Sequence, residues 1–468
     1  MDRSPAIIAI AALILASAAG CRTTASEAEG EATPTEAPRE AATLRVADLT
    51  ELDTSLPPEG ILAAWLRLAA NPFEGEGLAP LADHAAATGA RLVLLGESTH
   101  GTEEWYTLRA AISRHLIAHH GFRFIAVEGD WDAIDRLNAY ARGESEASSA
   151  REVMAGFDRW PTWMWANEPF ADLVEWLAEH NADRPEEERV GVYGVDLYGD
   201  GDSAQRVAEL LGDGDVRAVL PCMGPFAGDG QRYRGAIAGG APSCAPELEA
   251  LVARTRAPTP TEAGERRRML RARANALVLK HAERHHRAIA GGGPEGWNSR
   301  ARFFFRITEE LLAFYDKEGA PSRGMVWAHN THVGDARATP MGQGGRTNIG
   351  QDAREAFGRE GTFAIGFGTR TGEVLAGARW GAPVEAMRMP PAPSGSWEAL
   401  MATVEEPRFF FLLRDAPIPD AARPERGHRA VGVSYDPRRD AGHWVPSRLP
   451  DRYDAFVYVD ETRALRAP

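Results

Sequence analysis

Four short stretches of this chain place proton-transferring side chains directly after apolar runs. Leu92-Val93-Leu94-Leu95 leads into Gly96-Glu97-Ser98-Thr99-His100-Gly101, and FRFIAVE ends on Glu128. VGVYGVD ends on Asp196, and GMVWAHNTH delivers His329 and His332. A neutral imidazole takes a proton from water, and a neighbouring carboxylate fixes its tautomer and stabilises the imidazolium that results. His100 is thus a candidate base, with Glu97 and Glu128 as its candidate partners. His329 and His332 are candidate proton donors or electrophiles for a carbonyl oxygen. Such a set suits the addition of water to an ester or lactone carbonyl. One strand-end acid is usually a turn or cap residue, and Asp196 on its own reads as a helix cap; four segments agreeing is a pattern.

Rival readings of the same residues stand beside this one. Ser98 lies in Gly-Glu-Ser-Thr-His, which is not the Gly-x-Ser-x-Gly elbow of a serine nucleophile. Glu97, His100, Glu128, His329 and His332 could hold zinc or manganese. The Glu-x-x-His and His-x-x-His spacings lack the helical i, i+4 pattern of zinc proteases, so neither a metal nor an organic cofactor is expected. In RWPTWMWANEP, Trp163 and Trp165 read either as packing at a helix entry or as the wall of a pocket for a large apolar ligand. With Asp196 and Asn330 they are the candidate substrate contacts.

Positioning such groups requires a repeated strand-turn-helix pattern, and the chain has one. The run RLVLL precedes EEWYTLRAAISRHLIAHH, whose Trp105, Leu108, Ile112 and Leu116 share a helical face. TFAIGFG reads as a further buried strand, and FFFLL and AFVYVD as edge or terminal ones. The alternation predicts an α/β fold, a three-layer sandwich with a mostly parallel sheet. Open sheets of this kind carry their sites at the carboxyl ends of the strands. Residues 203–318 are too long for one crossover and read as an inserted helical subdomain. Its arginines, Arg266 to Arg273, form a solvated helix face or, alternatively, a positive lid over an anionic group.

The 468 residues are 44% hydrophobic, enough for a large core, and the net charge of −15 argues against nucleic acid as a partner. At the N-terminus, an apolar run too short to span a membrane comfortably ends in Ala-Ala-Gly-Cys21, which resembles the lipobox of bacterial lipoproteins. Residues 1–21 are accordingly expected to be a signal peptide with lipidation at Cys21. Residues 22–43 would be a flexible Ala/Glu/Thr/Pro tether and 44–468 the folded domain. The protein would then be exported and held on a membrane by its lipid anchor, in the periplasm or at the cell surface. Export permits a disulfide between the two remaining cysteines, Cys222 and Cys244.

Several stretches together resemble the erythromycin esterase family: LLGESTHGTEEWYTLR, FIAVEGDWDAIDRLNAY, RWPTWMWANEPFADLVEWL, VGVYGVDLYG, VWAHNTHVGD, GTFAIGFGTRTGEVLA and RYDAFVYVDETRAL. The resemblance implies hydrolysis of the lactone ester of a macrolide, with a role in the response to antibiotic, and no cofactor. It assigns water activation to His100 with Glu97 beside it, and carries the family's further site residues onto Glu128, His329, His332 and Arg109. Arg109 comes from the resemblance alone. The family's Arg-Asp pair and Met-Ala-x-Asn pattern are missing from the helix before the histidine strand. That helix reads NSRARFFFRITEELL here, so Arg300 or Arg302 stands in. Two alternatives to the esterase are a metal-dependent hydrolase using the same residues and a surface lipoprotein that binds haem or another large ligand without turnover.

Overall fold

Side chains alternate along the central strands between two apolar layers, and this alternation sets the architecture. In the computed structural model, which describes residues 43–210, 215–255, 262–317 and 319–467, eleven strands are found. The expected leader with Cys21, and the tether up to residue 42, lie outside the described residues. The strands are β1 (Asn71–Pro72), β2 (Leu92–Leu95), β3 (Phe124–Asp130), β4 (Gly191–Asp196), β5 (Gly324–Trp327) and β6 (Thr362–Gly377). They continue with β7 (Val384–Met389), β8 (Arg408–Leu412), β9 (Arg426–Arg429), β10 (Trp444–Ser447) and β11 (Ala455–Thr462). Nine form one sheet in the order β1-β8-β11-β6-β2-β5-β3-β4, with β7 paired to β6; β9 and β10 form a separate antiparallel pair. From β11 to β4 every neighbour is parallel, and β8 runs antiparallel beside β11.

Leu92, Leu94, Phe124, Ala126 and Val326 face one layer, which is packed by the helices Ala263–Gly291 and Glu295–Tyr315. Val93, Leu95, Ile125, Val127, Met325 and Trp327 face the other, packed by Glu103–His120, Trp131–Ala141 and Glu168–Asn181. A strand covered on both faces has no polar side, which is why these runs are apolar throughout. Among the described residues, six helices lie between β4 and β5. A Cys222–Cys244 disulfide, with Cα atoms 5.5 Å apart, ties this region together.

Register places the site. Leu95, Trp327, Val127 and Gly194 form one row across β2, β5, β3 and β4. Glu97, His329, Glu128 and Asp196 each lie one or two positions beyond that row, at a common edge of the sheet. Two glycines let the first loop lie flat there. A Cβ on Gly96 would stand 2.1 Å from Asn330 Oδ1, and one on Gly101 would stand 1.9 Å from the carbonyl oxygen of Leu375.

Candidate active site

His100 sits in the turn between β2 and the helix Glu103–His120, where Glu97 reaches back to it. Its Nδ1 lies 2.7 Å from Glu97 Oε1, and the other carboxylate oxygen, Oε2, accepts from Arg109 Nη2 at 2.6 Å. Arg109 is wholly buried, lies over the rings of Tyr106 and Trp327, and donates through Nε to the carbonyl of Trp105. The order is therefore guanidinium, carboxylate, imidazole. Glu97 accepts the Nδ1–H, so the Nε2 of a neutral His100 carries the lone pair. Burial opposes charge on His100, but the hydrogen bond and charge of Glu97, joined by Glu128, outweigh it and hold the pKa above the ordinary histidine value.

His329 faces His100 with ring centroids 4.9 Å apart. Its Nδ1 is 2.8 Å from Thr331 Oγ1 and also faces the Thr331 amide, while Nε2 stands 3.3 Å from the carbonyl of Ser98. Those partners favour the Nε2–H tautomer. Burial and the neighbouring charge of His100 hold His329 well below the ordinary pKa, so this ring is a neutral donor. The His329 amide donates to Glu128 Oε2 at 2.9 Å, which locks the histidine loop to β3.

Arg300 supplies the cation of the site. Its Nη2 donates to Glu128 Oε1 at 2.9 Å and to Asp196 Oδ2 at 2.5 Å, and Nε donates to Asp196 Oδ1 at 3.0 Å. His332 Nε2 lies 3.3 Å from both Arg300 Nη1 and Glu128 Oε1, and its ring stacks on Trp297 at 4.6 Å and 1°. Burial would raise the pKa of Glu128, but His332, Arg300 and His100 overcome it and keep this carboxyl well below the usual range. Arg302, two residues on and so about 200° around the helix, points away and pairs with Glu295 near the surface. Arg300 is thus the arginine that reaches the site.

A cavity of about 370 Å³ opens above these groups, lined among others by His100, Glu128, Arg300, His329, Trp165 and Trp380. A smaller pocket of about 190 Å³ adjoins it and shares Arg159, Pro161, Trp165 and Tyr198. Arg159 is held by Asp130, to which Nη2 donates at 2.8 Å. Trp165 Nε1 donates to the carbonyl of Glu128 at 2.9 Å, so this wall is hydrogen-bonded to the site itself.

The sequence-derived set divides in two. His100, Glu128, Asp196, His329, His332 and Trp165 line the cavity. Glu97 and Arg109 stand behind His100 without reaching the cavity wall. Trp163 is buried in the apolar layer around Trp165 and Phe170 and does not line the cavity, so it does not touch ligand there. Asn330, expected to contact substrate, is also buried. Its Nδ2 donates to the carbonyl of Phe367 at 2.7 Å and lies 3.0 Å from His428 Nε2, and its backbone amide donates to the carbonyl of Glu97 at 2.8 Å. The side chain is spent on tying strand ends together. Ser98 Oγ is buried with no partner among the described residues, and it too stays off the cavity wall.

Sequence reasoning missed a clamp behind the site. His428 and Glu398 are both wholly buried; Nδ1 of the imidazole lies 2.6 Å from Glu398 Oε1, and Nε2 faces Asn330. Three residues on, the Val431 amide donates to the carbonyl of Ser98 at 2.8 Å and its carbonyl accepts from the His100 amide at 3.2 Å. The segment 428–431, at the end of β9, therefore holds the histidine loop through Asn330 and the His100 loop through the backbone. Trp297, Tyr198 and Trp380 were likewise not anticipated as lining residues.

Comparison with known proteins gives a family and a fold. A family model described as erythromycin esterase matches residues 117–462. Among solved structures, a succinoglycan biosynthesis protein superposes with a TM-score of 0.70 at 18% identity, over 89% of this chain and 100% of that one. A Bacillus cereus protein gives 0.70 at 18%, over 88% and 99%. A histidine-to-asparagine mutant of the erythromycin esterase EreC, in its open conformation, gives 0.59 at 16%, over 82% and 94%. At such identities the structural likeness speaks for the fold.

Proposed function

This chain belongs to the erythromycin esterase family, and from that premise we propose that it is a carboxylic ester hydrolase adding water to the lactone of a macrolide or to an ester of similar bulk. The observation that carries the reading is the Arg109–Glu97–His100 chain ending beneath a partly aromatic cavity, opposite a neutral His329. His100 Nε2 takes a proton from water as the water oxygen attacks the acyl carbon. General-base catalysis of this kind is worth roughly 10²–10⁴-fold, and Glu97 stabilises the imidazolium that forms. The oxyanion faces the guanidinium of Arg300 and the Nε2–H of His329, which exchanges its long contact with the Ser98 carbonyl for the developing charge. Collapse of the adduct breaks the acyl–alkoxy bond, and His100 returns its proton to the leaving alkoxide. A lactone would open to one hydroxy acid.

Of the two carboxylates a metal would need, Glu128 is engaged by Arg300 and Glu97 by Arg109, which favours the metal-free form of this reaction. Export with a lipid anchor at Cys21 belongs to the same proposal, supported by the lipobox-like sequence and by a disulfide suited to an oxidising compartment. The test is mass spectrometry of macrolides and bulky esters incubated with purified protein. One compound should gain one water, and His100→Asn should abolish the gain while leaving the thermal unfolding transition in place. Turnover by His100→Asn at the wild-type rate would overturn the assignment.

A further inference from the structure

At the far end of the helix Glu103–His120 stand three histidines that the esterase reading does not use. His115 and His119 are one helical turn apart with ring centroids at 4.6 Å, and His120 follows directly before the left-handed Gly121. From the neighbouring helix Ala79–Ala87, Asp83 reaches across. His115 Nε2 and His120 Nε2 converge on a single atom, Asp83 Oδ1, at 2.6 and 2.7 Å. Among the described residues this is the group of three His, Cys, Asp or Glu side chains whose donor atoms all lie within 4.8 Å of one another.

We propose that Asp83, His115 and His120, with His119 beside them, bind a divalent transition-metal cation of the zinc class. Imidazole nitrogens and a carboxylate oxygen are the donors such an ion takes, at about 2.0–2.2 Å. Around a tetrahedral ion those bond lengths put donor atoms about 3.3 Å apart, so Asp83 must move outward slightly; its side chain is 54% exposed and free to do so. Water completes the set. Two further features favour a cation here: the negative end of the helix dipole falls on this last turn, and the chain carries a net charge of −15. The bland alternative, two histidines hydrogen-bonded to an acid, explains the convergence but takes no ion.

None of these residues lines the cavity, so the inference stands apart from the esterase reading. A bound ion would pin Ala79–Ala87 to the helix that carries Arg109. Full-length protein stripped with chelator would be titrated with Zn²⁺ by calorimetry and with Co²⁺ by visible absorption. One ion per chain is expected, with d–d bands of nitrogen and oxygen ligation and a raised unfolding temperature. His115→Ala and His120→Ala should each weaken binding by more than the roughly 10–100-fold that loss of an outer-shell partner brings, with hydrolysis unchanged. Equal Zn²⁺ binding by wild type and the His115→Ala/His120→Ala double variant would overturn the proposal, as would no binding at all.

Discussion

Replacing His428 by leucine separates folding from catalysis in this protein. Among the described residues, the imidazole is the only side chain bonded to Glu398, whose other donor is the amide of Arg429 at 2.9 Å. Removing one side of a buried hydrogen-bonded pair costs about 1–3 kcal/mol, because the remaining polar group is left without its partner. Removing both partners for apolar residues of similar volume is close to neutral. His428→Leu should therefore lower stability by about 1–3 kcal/mol, a sizeable part of the roughly 5–15 kcal/mol that holds a native protein together. His428→Leu/Glu398→Leu should recover most of that loss. Turnover should not recover with it. In both variants Asn330 loses its imidazole acceptor, and the loop carrying His329 is held by one hydrogen bond fewer. One such bond is worth about 0.5–1.5 kcal/mol, so kcat should drop by up to about tenfold. KM should change less, since neither residue lines the cavity. Thermal unfolding and steady-state hydrolysis of the accepted ester, measured on the same three proteins, decide the matter. A double variant with restored stability and wild-type kcat would refute a positioning role for the clamp.

Other perturbations have equally definite outcomes. His100 acts as a base only when deprotonated, and its pKa is raised, so activity should fall with decreasing pH through a midpoint above 6.5. Glu97→Gln removes the main raising interactions, so the rate–pH profile of that variant should shift to lower pH as well as drop in height. Arg109→Met should lower kcat and leave KM nearly unchanged, because the guanidinium is wholly buried behind Glu97 and cannot touch substrate; a rise in KM alone would contradict this. Reduction of Cys222–Cys244, which closes a loop at a sequence separation of 22, should cost about 3 kcal/mol by the chain-entropy account, read as a lower unfolding temperature with reductant.

The strands were legible because they are covered on both faces: RLVLL, FIAVE and MVWA leave no polar position for an exposed side. The strand-end histidines and acids followed from the same runs, since a parallel sheet aligns its carboxyl ends. Direction was harder. Asn330 and His329 are adjacent, yet one turns into the protein and the other to the cavity; spacing cannot resolve a side chain just past a strand's last paired residue. The arginine ambiguity had a helical cause, for two residues of separation send Arg300 and Arg302 to opposite sides. His428 and Glu398 were unreadable for a different reason. They are 30 residues apart on separate elements, and only the tertiary path of the chain makes them a pair.

The aligned row of strand ends divides labour within the molecule. Groups that make and break bonds hang from a rigid, two-sided sheet, whereas Tyr198, Trp297 and Trp380 at the cavity come from connections and helix starts outside it. Clientele and reaction are thus written in different parts of the polypeptide. On the proposed function, a lineage can trade one customer for another by redrafting those connections while the hydrolytic apparatus beneath stays as it was.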